Sequence, residues 1–274
     1  MWQHYSSNLW YNAGEEIFDW TRRRKGLQTM ILAKSLAETQ RTHLVHPDGR
    51  ETWVSRFFTA SVDTPEQPVA FLVEKKAHAI VPPHFHEVNQ FQVIAEGHGT
   101  LGKSQVRPFT LHYTNGYTGY GPIQAAEDGI AFFTLRNRFD PGAKYFPAGR
   151  SFMKPAPKRH RVSDHLLPSD AAALQSRRHE RLETVFEPEA DGLAAWFLRM
   201  GPDSRTQTPD SGQGGGQYVI VAAGSLLHDG VVLPRLSCLY VSSEAGPLTL
   251  QAGPDGLEVL TVQFPVAEAY PPRN

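Results

Sequence analysis

His84 and His86 stand two residues apart in Pro82-Pro83-His84-Phe85-His86, with Gln90 and Gly97 following. Residues i and i+2 of a strand project from one face, so both imidazoles would point into a barrel while Phe85 points away. Two imidazoles on one face are half of a first-row metal site. Without a metal, the same pair can hydrogen-bond barrel backbone or a small ligand. His112, in the run from Thr110 to Thr114, and His78, which shares the parity of the pair, are candidates for a third ligand. Tyr113, Tyr117 and Tyr120 would line the mouth of such a barrel and suit an aromatic substrate. Arg136 and Arg138 follow the strand that contains Thr134, and are read either as partners of a substrate carboxylate or as a solvated strand end.

These residues lie in a frame that the chain writes twice. Pro82, Gln90, Ala95, Gly97, Tyr113, Gly119, Gln124, Ala125, Asp128, Gly129 and Thr134 recur 127 residues later, without a gap, as Pro209, Gln217, Ala222, Gly224, Tyr240, Gly246, Gln251, Ala252, Asp255, Gly256 and Thr261. Eleven identities in 53 positions exceed the roughly three or four that ordinary residue usage gives, so one β unit is repeated. The histidines are not copied: Ser211 and Gln213 hold their places. Gln90 and Gln124 do have copies, Gln217 and Gln251, which suits hydrogen-bond bridges inside each barrel.

The elements that must position the site read as β. Short β-branched or aromatic runs, such as Thr52 to Ala60, Val69 to Val73, Phe91 to Ala95 and Ile130 to Leu135, are separated by Gly, Pro, Asn and Asp. Two short helices are predicted: one carrying Leu27, Met30, Ile31 and Leu36, and one capped by Ser169 and running through Ala171, Ala172, Leu174 and Arg178. The division expected is a site-bearing barrel over 1–150, a linker with a short helix over 151–180, and a degenerate barrel over 181–274. The linker opens with Lys154, Lys158, Arg159 and Arg161 between prolines, a charge run read as solvated. Trp2, Trp10, Tyr11, Phe18 and Trp20 are too aromatic for a floppy tail and suggest packing on a barrel or at a homodimer interface.

Composition removes several classes of function. Lys plus Arg is 27 against 28 for Asp plus Glu, so no global field draws nucleic acid or an anionic membrane. The glycine run Gly214-Gly215-Gly216 lacks the Lys-Ser/Thr of a phosphate-cradling loop. A single cysteine, Cys238, and the absence of a leader pattern or long apolar run indicate a soluble, cytoplasmic protein.

His84-x-His86-x3-Gln90-x6-Gly97 resembles the first motif of the cupin superfamily, His-x-His, three or four residues, Glu, six residues, Gly. The second motif aligns on Gly119-Tyr120-Gly121-Pro122-Ile123-Gln124, which puts Gln124 in the place of that family's third histidine. The resemblance implies an all-β chain of two tandem cupin-type jelly-roll barrels with one or two short helices, a bicupin whose second barrel is architectural. It also implies a divalent metal (Fe, Mn, Ni or Zn) on His84, His86, Gln90 and Gln124, and a dioxygenase-type oxidoreductase acting on a small molecule near Tyr117, Tyr120 and His112. Glutamine in place of the carboxylate leaves the ion's charge uncompensated, so such a site binds metal weakly. The competing reading is a metal-free cupin that binds a small molecule without turnover; a transcription regulator finds no helix-turn-helix segment.

Overall fold

A computed structural model describes residues 29–46 and 48–266. The aromatic residues from Trp2 to Trp20, and Leu27, lie outside the described residues. What is described is almost entirely antiparallel strand, in sheets of nine and eight strands joined by one of two, the two-barrel jelly-roll architecture expected. Among the described residues, no helix is long and apolar enough to cross a membrane.

The sequence repeat is a structural repeat. Strands Gln90–Leu101 and Leu111–Thr114 reappear 127 residues on, end for end, as Gln217–His228 and Cys238–Val241. Each central strand pairs on its other side with the long strand of its own copy, Ile123–Arg136 or Thr249–Gln263. The copied glycines mark a shared backbone irregularity. Gly97 and Gly224 have φ of +70° and +68°, and a Cβ on either would collide with the carbonyl oxygen of Gly129 or Gly256 across the ladder. Only glycine satisfies both the left-handed φ and the close approach.

Strand alternation divides the side chains between two kinds of interior. Phe91, Val93, Ala95, Leu111 and Tyr113 join Tyr218, Ile220, Ala222, Cys238 and Tyr240 in one core shared by both barrels. Phe91 meets Phe264 across it, 5.0 Å between ring centroids. Burying side chains of this size contributes about 1.5–3 kcal/mol each, which holds the barrels together. Residues of the opposite parity face each barrel's own interior. In the second barrel much of that interior is hydrocarbon, with Val219, Val221, Leu239 and Val241 packed together.

The two halves also exchange strands. Ile31–Lys34 pairs with Cys238–Val241 of the second sheet, and His160–Val162 pairs with Leu111–Thr114 of the first. Each insertion covers an edge that would otherwise present unpaired backbone groups. Sheet membership therefore crosses the boundaries drawn at residues 150 and 181. The first predicted helix is absent, because Ile31–Lys34 is a strand followed by a single 3-10 turn, Leu36–Glu38. A waiting strand edge supplies backbone partners that so short a helix could not. The second helix forms as Ala171–Ser176, but its cap is Asp170, which accepts from the Ala173 amide at 2.8 Å. Ser169 instead donates from its backbone N and its hydroxyl to the buried Glu258 carboxylate. The basic segment is not simply solvated: Arg159 pairs with Glu189 and Asp191 at 2.6 and 2.7 Å, and Arg161 pairs with Glu189.

Candidate functional site

The strand His84–Phe85 brings the histidine pair together inside the first barrel, their rings 5.3 Å apart and edge to face. Both are buried, at 4% and 8% exposure, so neither ring turns to bulk solvent. His84 Nδ1 lies 2.7 Å from the carbonyl oxygen of Pro82, which fixes the proton on that nitrogen and leaves Nε2 as an acceptor. No described residue bonds that Nε2. His86 Nδ1 lies 2.7 Å from Asp140 Oδ1, so its tautomer is fixed in the same way by a carboxylate. Asp140 also accepts from the backbone amides of Glu87 and Gly142, at 3.0 and 2.8 Å.

The remaining place beside the imidazoles is taken by a cation from the protein. Arg136, at the end of Ile123–Arg136, donates from Nη2 and Nε to Gln90 Oε1 at 2.8 and 3.1 Å. Its Nη2 stands 3.2 Å from each ring nitrogen of His86. Since Nδ1 gives its proton to Asp140, Nε2 is the acceptor for that contact. Nη1 is 3.6 Å from Asp140 Oδ1, an ion pair beyond hydrogen-bond length, and keeps its N–H groups. Gln90 completes the ring of contacts by donating to the Tyr120 hydroxyl at 2.6 Å.

Burial controls the charge states. It drives His84 down to about 3, with His86 and Arg136 adding to the effect. His86 is lowered by burial and then by Arg136, against the pull of Asp140. Burial raises the Tyr120 phenol well above its ordinary value, so it stays protonated at neutral pH. For Asp140 burial acts upward, but His86 and Arg136 outweigh it and hold the carboxyl below the usual range. The resting site is two neutral imidazoles and one Arg–Asp pair.

Several sequence expectations change. Gln124 is exposed, on the strand position between the buried Ile123 and Ala125; it cannot join the pair. The side chain opposite His84 is Tyr120, 4.5 Å between rings. Gln90 is buried as a hydrogen-bond bridge, and its copy Gln217 bridges likewise to Gln263 at 2.8 Å. Tyr117 packs against Phe85 and donates to Glu87, the residues that alternate with the histidines. His78 is exposed, with φ of +60°. His112 is inside the barrel, 4.9 Å from the Tyr120 ring. Arg136, a candidate either for a substrate carboxylate or for a solvated strand end, is buried beside the histidines, and Asp140 is a further buried residue that no sequence signal marks.

The fitness of this set for a divalent ion follows from its donors. Among the described residues, no three His, Cys, Asp or Glu side chains converge on one point. Of the four expected ligands, Gln124 is out of reach, the oxygen of Gln90 and the Nε2 of His86 are engaged by a guanidinium, and only His84 Nε2 is open. A fixed positive charge at this point opposes a second one. The residues do not fit a resident divalent metal.

Fold and site together define a jelly-roll chain of two barrels with a polar, cation-bearing site in one of them. No family model matches the chain, and no curated protein matches it. Solved structures do. A proposed dioxygenase of Nostoc punctiforme is 14% identical with a TM-score of 0.61, over 90% of this chain and 89% of that one. The pirin YhhW of Escherichia coli, solved in complex with nickel(II), is 14% identical with a TM-score of 0.52, over 86% of this chain and 100% of that one. A variant of the oxalate decarboxylase of Bacillus subtilis, an enzyme with Mn(II) centres, is 12% identical with a TM-score of 0.54, over 89% of this chain and 79% of that one. At such identities the likeness establishes the fold.

Proposed function

We propose that the first barrel is a binding site for a small acidic molecule, a carboxylate or enolate, held by the protein's own cation rather than by a bound metal. The observation that carries this reading is Arg136: a buried guanidinium anchored on Gln90 and His86, with Nη1 still able to donate. An anionic ligand oxygen would meet Nη1, a ligand hydroxyl would donate to His84 Nε2, and the Tyr120 O–H would donate to a ligand acceptor. Asp140 is a positioning residue, since it fixes the His86 tautomer. Aromatic walls from His84, Tyr120 and Tyr145 suit a planar ligand.

The second barrel contributes by support. Tyr218 of that barrel donates to the backbone oxygen of Arg136 at 2.7 Å, and Asn137 donates to the Gly215 oxygen at 3.4 Å. The test is elemental analysis of protein expressed with added iron, manganese, nickel and zinc, together with calorimetric titration of benzoate. The reading expects well under one metal per chain, and benzoate binding that Arg136→Gln removes. One tightly held metal per chain, lost in His84→Ala, would overturn it and restore the dioxygenase reading.

A further inference from the structure

The internal copy serves as a control for what a barrel interior needs. Positions held by Gln92, His112 and Thr114 in the first barrel are held by Val219, Leu239 and Val241 in the second, where they pack as pure hydrocarbon. The backbone ladder is the same in both: Gln92 lies opposite His112, and Val219 opposite Leu239. Folding therefore does not require a polar pair at this depth. Nor is the pair self-contained. His112 Nδ1 meets Gln92 Oε1 at 2.8 Å, but His112 Nε2 is buried with no partner, and the residue as a whole is 1% exposed. Turning the Gln92 amide over reverses the Nδ1 bond and still leaves Nε2 alone. Its ring is 4.9 Å from that of Tyr120 and 4.8 Å from that of His160. Buried polar atoms in folded proteins are as a rule satisfied, and an orphan at a site calls for a missing partner.

The geometry points to His112 Nε2 as a second anchoring point of the first barrel's ligand, one that receives a hydroxyl remote from the acidic group. This inference rests on the acidic-ligand reading and narrows it to hydroxylated acids. The Tyr120 ring contacts both His84, at 4.5 Å, and His112, at 4.9 Å, and so links the two ends of the site. A hydroxyl can donate or accept, so it satisfies Nε2 in either tautomer. His160, on the strand inserted from between the repeats, flanks this end.

The test is calorimetric titration of benzoate and of 2-, 3- and 4-hydroxybenzoate. Wild-type protein should bind at least one hydroxybenzoate about tenfold more tightly than benzoate, the worth of one well-made hydrogen bond. Gln92→Val with His112→Leu installs the pair that the second barrel carries. That double variant should lose the tenfold increment and melt about 2–4 °C higher because the orphan is gone. If no hydroxyl adds affinity in the wild type, the inference fails. It fails too if the double variant keeps the increment or melts lower. Arg136→Gln separates the two proposals, since loss of the acidic-ligand reading would leave benzoate affinity unchanged in that variant while the hydroxyl increment is judged independently.

Discussion

Lowering the pH from 7.5 to 5.0 should destabilise the protein by about 2 kcal/mol through His84 alone. His84 is neutral in the fold down to about pH 3, whereas in the unfolded chain it takes a proton near the ordinary value of about 6.5. Between those limits the unfolded state binds more protons, so stability falls as pH falls, at up to about 1.4 kcal/mol per pH unit. The integral from 7.5 to 5.0 gives about 2 kcal/mol, because the unfolded histidine is half protonated only at about 6.5. His86 and His112, also lowered by burial, add to the loss in the same direction. Asp140 does not contribute in this window: its depressed carboxyl stabilises the fold at all pH above the unfolded value of about 4 and is lost only below it. Urea denaturation followed by the fluorescence of Trp53 and Trp196 at half-unit pH steps measures the curve, and His84→Asn should flatten it by about 2 kcal/mol. A stability that stays constant from pH 7.5 to 5.0 would refute the claim that these imidazoles are buried and neutral.

Arg136→Met should cost about 3–5 kcal/mol in urea denaturation, because it strands Asp140 and the Gln90 oxygen in a buried site; Arg136→Gln should cost less, since it recreates the Gln217–Gln263 bridge of the second barrel. Tyr218→Phe removes a buried hydrogen bond to the Arg136 carbonyl and should cost about 1 kcal/mol, with a loss of benzoate affinity measurable by calorimetry although Tyr218 lies outside the site. Gly97→Ala and Gly224→Ala should each lower stability by at least about 1–2 kcal/mol, the penalty of a left-handed φ for an L residue, before the clash with the facing carbonyl is added. Thermal melts of the two variants should agree, as the two sites are copies.

The parts of this molecule legible in the sequence are those that local rules control. Gapless repetition over 53 positions foretold two strands that match end for end, and the i, i+2 spacing foretold one face for His84 and His86. Alignment on the second motif misplaces Gln124, because motif spacing does not fix which side chain turns inward. Tyr120, an isolated bridge opposite His84, faces the histidines from a loop, while Gln124, the second residue of the following strand, looks outward. Arg136 was within reach of the same rule: Phe132, Thr134 and Arg136 alternate along one strand, and the copies Thr261 and Gln263 are buried too. Asp140 had no such signal, since its tie to His86 spans 54 residues and a loop. Strand exchange was likewise invisible, because a four-residue apolar run does not announce which sheet edge it will cover.

Comparison of the two interiors separates what holds the barrel from what the barrel holds. The shared core, the glycine irregularities and the Gln90 and Gln217 bridges occur in both copies, so they belong to folding. His84, His86, Gln92, His112 and Arg136 occur in one copy only, facing Ser211, Gln213, Val219, Leu239 and Gln263 in the other. Each substitution runs against stability. Burying an arginine needs a carboxylate partner, burying neutral histidine forfeits stability on acidification, and an unpartnered Nε2 costs about 1–3 kcal/mol. A barrel that folds with valine and leucine at the positions of Gln92 and His112 has no structural need for that polar pair. The proposed ligand accounts for this polar interior: an acid would meet Arg136 Nη1 and His84 Nε2 at one end, and a hydroxyl would meet His112 Nε2 at the other.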